Sequence, residues 1–221
     1  MDKVYISENA NSILINYLIS VGLDVEFITP PPHISTGIAA HPDIYMCKLG
    51  VTDDSPVFFG SPDSISEKYP GDIIYNAVCS GKYFIHKLSE TSPDLLKAAK
   101  DMGMKVINTR QGYSKCSTAV IDENSFITSD KAIALPLEAE EADVLLIEKG
   151  YIKLRGYDTG FIGGTCGRIG DTVVFNGNLA THPDFESIKN FIECRGLSVK
   201  YFEEYQLEDI GSIIYCQRKW S

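Results

Sequence analysis

Three of the six cysteines follow glycines at the start of strand-like apolar runs: Cys116 after Gly112, Cys166 after Gly163-Gly164, and Cys216 after Gly211. A thiol so placed could attack an electron-poor carbon once deprotonated; equally, a free cysteine fills a core as a small hydrophobe. Beside Cys116 stand Lys115 and the hydroxyls Ser117-Thr118. Lys115 would lower the thiol pKa only by curling back, because alternate strand residues face opposite ways. Among the four histidines, His41-Pro42-Asp43 lies next to a strand, where Pro42-Asp43 also suits a turn. His182-Pro183-Asp184 opens a helix and reads as a cap, His86 ends a strand and reads as surface, and His33 lies in a proline-rich connection. Asp158 and Asp209 precede the glycines of Gly160-Phe161-Ile162-Gly163-Gly164 and Gly211-Ser212, with Asn76 and Tyr75 at the equivalent start near residue 76. These glycines do not form a phosphate loop: no Gly-Lys-Ser/Thr ending is present and a strand follows. No His/Cys pair has metal-ligand spacing, so no metal or other cofactor is expected, and no Gly-x-Ser-x-Gly elbow occurs.

The elements that must position these residues recur. Residues 160–176 form a glycine-cornered hairpin. Thr181 to Asp184 has the form of a capping box, and Phe185, Ile188, Phe191 and Ile192 are at helical spacing before Gly196. Residues 197–202 then alternate as a strand. The same order, strand, strand, helix, strand, is predicted over 72–107, with Ser92 as helix cap, and over 116–147, where Pro136 interrupts the helix. A degenerate copy covers 34–59, with strands near 37–40 and 44–47 and a weak helix within 61–69; residues 151–154 add a short strand. A fifth copy is split: 3–6, a helix over 11–21, and 24–28 lack a first strand, which residues 210–215 would supply from the other end. A repeat of roughly 40–50 residues closed by its own termini leaves no open edge. Pro30-Pro31-Pro32 reads as a stiff connection, so residues 1–221 are expected to form one domain.

Composition limits the partners. The chain has 221 residues, a formal net charge of −10 and 44% hydrophobic residues. Without a cluster of Lys and Arg, neither nucleic acid nor an anionic membrane is an expected partner. No stretch is apolar enough to span a bilayer, and the N-terminus lacks a signal-peptide core. Six cysteines with no CxxC read as free thiols of a reducing cytoplasm.

Five such units about a pseudo-fivefold axis resemble the pentein, or α/β-propeller, superfamily, an α/β fold of ββαβ blades. More locally, Gln111-Gly112-Tyr113-Ser114-Lys115-Cys116-Ser117-Thr118, Gly160-Phe161-Ile162-Gly163-Gly164 and Leu207-Glu208-Asp209-Ile210-Gly211-Ser212-Ile213 look like signatures of an uncharacterised bacterial family. The pentein resemblance implies a small-molecule ligand in the central channel, where strand starts converge. In its guanidine-modifying members a cysteine is the nucleophile, a His-x-Asp histidine the acid/base, and carboxylates grip the planar cation. Carried onto this sequence, Cys116 is the first candidate nucleophile and Cys216 the second, near the C-terminus where those enzymes carry theirs. His41 is the acid/base candidate. Asp158, Asp209, Asn76, Lys115, Cys166 and Ser212 are candidates for the substrate-binding rim. This sequence departs from the pattern in two ways: His41 comes early relative to the cysteines, and Pro42 sits inside the His-x-Asp triplet. Two functions follow: a cysteine-dependent hydrolase or transferase acting on a small amidine, guanidine or amide, or a non-catalytic binding module for a metabolite or protein.

Overall fold

The computed structural model describes residues 1–34 and 36–217. Strand β1 (Lys3–Ser7) leads into helix α1 (Ser12–Ser20) and strand β2 (Asp24–Ile28). Asn11 starts the helix by accepting the Ile13 N–H at 2.9 Å, Leu14 and Leu18 face inward one turn apart, and Gly22 ends it in the left-handed region. A short helix α2 (Pro42–Tyr45) and strands β3 (Met46–Lys48) and β4 (Val57–Phe59) follow. The next unit contains β5 (Val78–Cys79), β6 (Tyr83–His86), α3 (Pro93–Asp101) and β7 (Lys105–Asn108). Then come α4 (Ser114–Ser117), β8 (Thr118–Val120), β9 (Ser125–Thr128), α5 (Lys131–Glu138) and β10 (Asp143–Leu146). The last unit has β11 (Cys166–Ile169), β12 (Thr172–Phe175), α6 (Phe185–Glu193) and β13 (Ser198–Lys200), and β14 (Ile214–Cys216) follows.

These strands form five separate small sheets, ordered β14-β1-β2, β3-β4, β5-β6-β7, β8-β9-β10 and β11-β12-β13. In the four three-stranded sheets the middle strand pairs antiparallel on one side and parallel on the other, with a helix crossing over to the parallel partner. A parallel partner requires such a crossover, and α1, α3, α5 and α6 provide it. Each helix presents one apolar stripe: Leu14/Leu18, Leu95/Ala99, Ile133/Leu137 and Ile188/Ile192 are buried. Middle strands β6 and β9 are buried along their whole length, and Phe84, Phe126 and Phe175 are fully enclosed. Burying each of these rings contributes about 2–3 kcal/mol.

The two chain ends meet in one sheet, with Val4 opposite Tyr215. Several sequence expectations need correction. Residues 37–40 are a turn rather than a strand, and the degenerate unit places its strands at β3 and β4. No α-helix forms in 61–69, only a single 3-10 turn at Pro62–Ser64. Residues 151–154 make isolated bridges, Lys153 with Glu208 and Leu154 with Tyr157. The Ser92 side chain makes no cap bond, and α6 starts at Phe185, after a 3-10 turn, rather than at Thr181. His86 is buried, not on the surface: its Nε2 lies 3.1 Å from the Gly112 carbonyl and its Nδ1 2.8 Å from Thr91 Oγ1. No helix among the described residues is long and apolar enough to cross a membrane.

Candidate functional site

Cys116 is not on a strand. It sits in α4, one turn of helix immediately before β8. Asn76, fully buried before β5, fixes that turn: its Oδ1 accepts the backbone N–H groups of Lys115 (2.9 Å) and Cys116 (3.2 Å). The Asn76 amide Nδ2 donates to Cys116 Sγ at 3.2 Å and to the Asp43 carbonyl at 3.3 Å. One side chain thus sets both the backbone and the thiol.

The His41-Pro42-Asp43 segment enters from the second sheet. His41 precedes α2, Pro42 occupies its first turn and Asp43 follows. Asp43 is completely buried and its Oδ2 accepts from two groups, the Cys116 thiol at 3.0 Å and the Ser212 hydroxyl at 2.8 Å. His41, Asp43 and Cys116 offer donor atoms that all lie within 4.8 Å of one another. Ser212 adopts φ +76, in the left-handed region that non-glycine residues rarely occupy. Its Oγ also lies 2.9 Å from the Gly163 carbonyl and receives Lys115 Nζ at 3.0 Å.

Asp209 completes the constellation. Its carboxylate accepts the N–H groups of Phe161 and Gly211, each at 3.0 Å, and Oδ1 stands 3.8 Å from His41 Nδ1. The glycine motifs make this approach possible. A Cβ at Gly164 would fall 1.9 Å from Asp209 Oδ1, and one at Gly211 would fall 2.1 Å from the His41 Cβ.

The charges are unusual. Burial, then the neighbouring Asp43 and Asp209, pushes the Cys116 thiol well above its ordinary pKa. Burial raises Asp209 to about 6 and pushes Asp43 up as well. Burial lowers His41 to about 4, so the imidazole is neutral at pH 7. Nδ1 of His41 and Oδ1 of Asp43 find no hydrogen-bond partner among the described residues. Two unsatisfied polar atoms beside one thiol mark a place built for chemistry or for a ligand, because burying them costs free energy. Cys116, His41 and Asp209 line one side of a cavity of roughly 200 Å³, with Ile38, Tyr113, Leu154, Tyr157 and Phe161 among its other walls.

The structure therefore brings Cys116, His41, Asp209, Asn76, Ser212 and Lys115 together. It does not bring in the others. Cys216 ends β14, half-buried, and is not in the cavity wall. Asp158 is exposed and Cys166 borders a different cavity. Sequence reading assigned Asp43 to a turn and so passed over the thiol's hydrogen-bond acceptor. The available signal was its place as the acid of His-Pro-Asp. Tyr113, Tyr157 and Phe161 gave no signal, because aromatics in loops are indistinguishable from ordinary packing.

The fold that carries this arrangement has a counterpart among solved structures. The fold matches that of dimethylarginine dimethylaminohydrolase, solved as its adduct with 4-chloro-2-hydroxymethylpyridine. The TM-score is 0.53 at 12% identity, over 91% of this chain and 92% of that one. By sequence, residues 54–214 match the model described as "Family of unknown function (DUF6873)", and the chain belongs to that family. The matched span contains Asn76, Cys116, Asp209 and Ser212, while His41 and Asp43 precede it. A search of curated proteins yields no match.

Proposed function

We propose that this protein is a cysteine-dependent hydrolase or transferase acting on a small amidinium or guanidinium compound, its five sheets arranged as blades around the Cys116 cavity. The observation that carries this reading is the convergence of Cys116, His41 and Asp209 on one cavity, with Asp43 bonded to the thiol behind it. Likeness to a guanidine-modifying hydrolase supports it.

The electrostatics select the substrate. A thiol held protonated by burial and two carboxylates becomes more acidic when a cation enters, because the cation stabilises the thiolate. Asp209 offers the planar cation a hydrogen-bonded carboxylate, and Tyr113, Tyr157 and Phe161 offer apolar and π surfaces. Asp43, 3.0 Å away, takes the thiol proton. The thiolate bonds to the amidinium carbon and the C=N pair moves onto nitrogen. The proton passes from Asp43 by way of neutral His41, which lines the cavity, to the leaving amine, and the C–N bond breaks to leave an S-linked amidinium. Neutral His41 then removes a proton from the attacking water, with Asp209 stabilising the imidazolium. Collapse releases an amide or urea, returns a proton to sulfur, and leaves the His41 proton to depart with the amine.

The test compares a cationic haloacetamidine with neutral iodoacetamide by mass spectrometry, alongside amine release from a panel of small amidines and guanidines. The cationic reagent should label Cys116 in preference to exposed Cys194, and at least one panel member should turn over. Equal labelling of all six thiols, with no turnover, would leave the non-catalytic binding module as the better reading.

A further inference from the structure

A second cavity, of about 60 Å³, shares no wall residue with the first. The two stand back to back: Lys115 belongs to the wall of the second, and its neighbour Cys116 to the wall of the first. Its lining draws on β3, β5, β8, β11 and β14, one strand from each sheet, together with Val173 of β12. Most of the lining is apolar or thiol, including Val51, Ala77, Val173 and Ile213. Three cations, Lys48, Lys115 and Arg168, also line it.

None of these three forms an ion pair among the described residues. Among the described residues Arg168 donates only to carbonyls, Nε to Gly170 at 3.0 Å and Nη1 to Ile121 at 2.9 Å. Lys115 Nζ reaches Ser212 Oγ and the Gly163 carbonyl. Lys48 Nζ has no hydrogen bond among the described residues and lies 5.1 Å from the centre of the Tyr215 ring. Burial lowers Lys48 to about 8, with Arg168 adding repulsion, although Asp53 and Asp54 pull the other way. The Asp53 carboxylate is partly engaged, accepting the Gly170 N–H at 3.1 Å. In a chain with net charge −10, carboxylates are abundant, yet none among the described residues comes within ion-pair distance of these three cations. Apolar walls concentrate their field in the space between them.

We propose that this second cavity binds one small oxyanion, a phosphate or a carboxylate group, held by Lys48 and Arg168 with Lys115 behind. The volume suits such an ion, since it holds roughly four waters' worth of space. The inference does not depend on thiol chemistry at Cys116, so its test reads binding alone.

The experiment is isothermal titration of the protein with inorganic phosphate, sulfate and acetate, at constant ionic strength set with chloride. At least one anion should bind saturably at one per chain. Preference for phosphate over acetate would point to an inorganic ion, and the reverse to the carboxylate of a metabolite. Lys48→Met and Arg168→Met should each weaken binding about tenfold or more. Lys48→Arg should retain it, and Lys189→Met, on the exposed face of α6, should not change it. Circular dichroism melting of each variant separates lost binding from lost folding. Absence of saturable binding by all three anions overturns the proposal, as does equal affinity in folded Lys48→Met, Arg168→Met and wild type.

Discussion

The two cavities use the same residue type in opposite surroundings. Cys116 faces the first, beside two carboxylates and a neutral histidine, while Cys47, Cys79 and Cys166 border the second among cations and valines. All four thiols are buried, so burial does not distinguish them. What differs is the acceptor. Cys116 Sγ meets a carboxylate oxygen at 3.0 Å, whereas Cys47 Sγ meets the Ala77 carbonyl at 3.3 Å and the Cys79 sulfur at 3.4 Å. A carboxylate can take a proton and return it; a carbonyl cannot. A nucleophile is therefore better sought by the base beside it than by its exposure.

The sharpest way to break this contrast is to exchange the thiols for hydroxyls. Cys116→Ser should reduce amine release by at least about a thousandfold, while Cys166→Ser should leave it within a few-fold of wild type. Comparable losses in both would abolish the distinction. Asp43→Asn removes the acceptor while keeping the shape. It should slow turnover by about a hundredfold, yet move iodoacetamide alkylation of Cys116 to lower pH, because a carboxylate that opposes the thiolate is gone. A merely structural Asp43 would not produce that opposite pair of changes.

The two buried histidines extend the comparison. His41 leaves Nδ1 without a hydrogen bond, whereas His86 has both ring nitrogens engaged, and burial lowers each to about 4. A histidine depressed from 6.5 to about 4 takes up its proton more readily when unfolded. Its contribution to stability is therefore present above pH 6.5 and is lost as pH falls toward 4. For His86 the loss between pH 7 and pH 5 is about 2 kcal/mol. Urea unfolding at the two values should show a shallower pH dependence in His86→Gln than in wild type. Asp209, raised to about 6, acts in the opposite sense and gains stability on acidification over the same range. The smallest effect concerns the second cavity. Lys48→Met should melt no lower than wild type without added anion, with a gain of up to about 0.5 kcal/mol, since an unpaired, half-buried charge has been removed.

Much of this architecture is legible in the residues because its long elements announce themselves. The stripes of α1, α3 and α6, with glycines 22, 103 and 196 closing them, show their 3.6-residue period directly. The pairing of the two ends could be anticipated because the first unit lacked a strand. The unit around residues 34–59 could not be read correctly, since strands of three residues carry too little alternation to be recognised. His86 looked like a surface residue beside Lys87, because its partners, Thr91 and the Gly112 carbonyl, become neighbours only through folding. For the same reason Cys116, His41 and Asp209 could be nominated individually, while the role of Asp43 depended on a contact across 73 positions of chain.

The antiparallel pairing of β14 with β1 also has a consequence for biosynthesis. Residues 214–216 leave the ribosome after every other strand described here, so until they emerge β1 presents an unzipped edge. Nascent chains stalled before Ile214 carry that edge unguarded, and synthesis of residues 214–216 decides whether it is sealed or left to pair with a stranger.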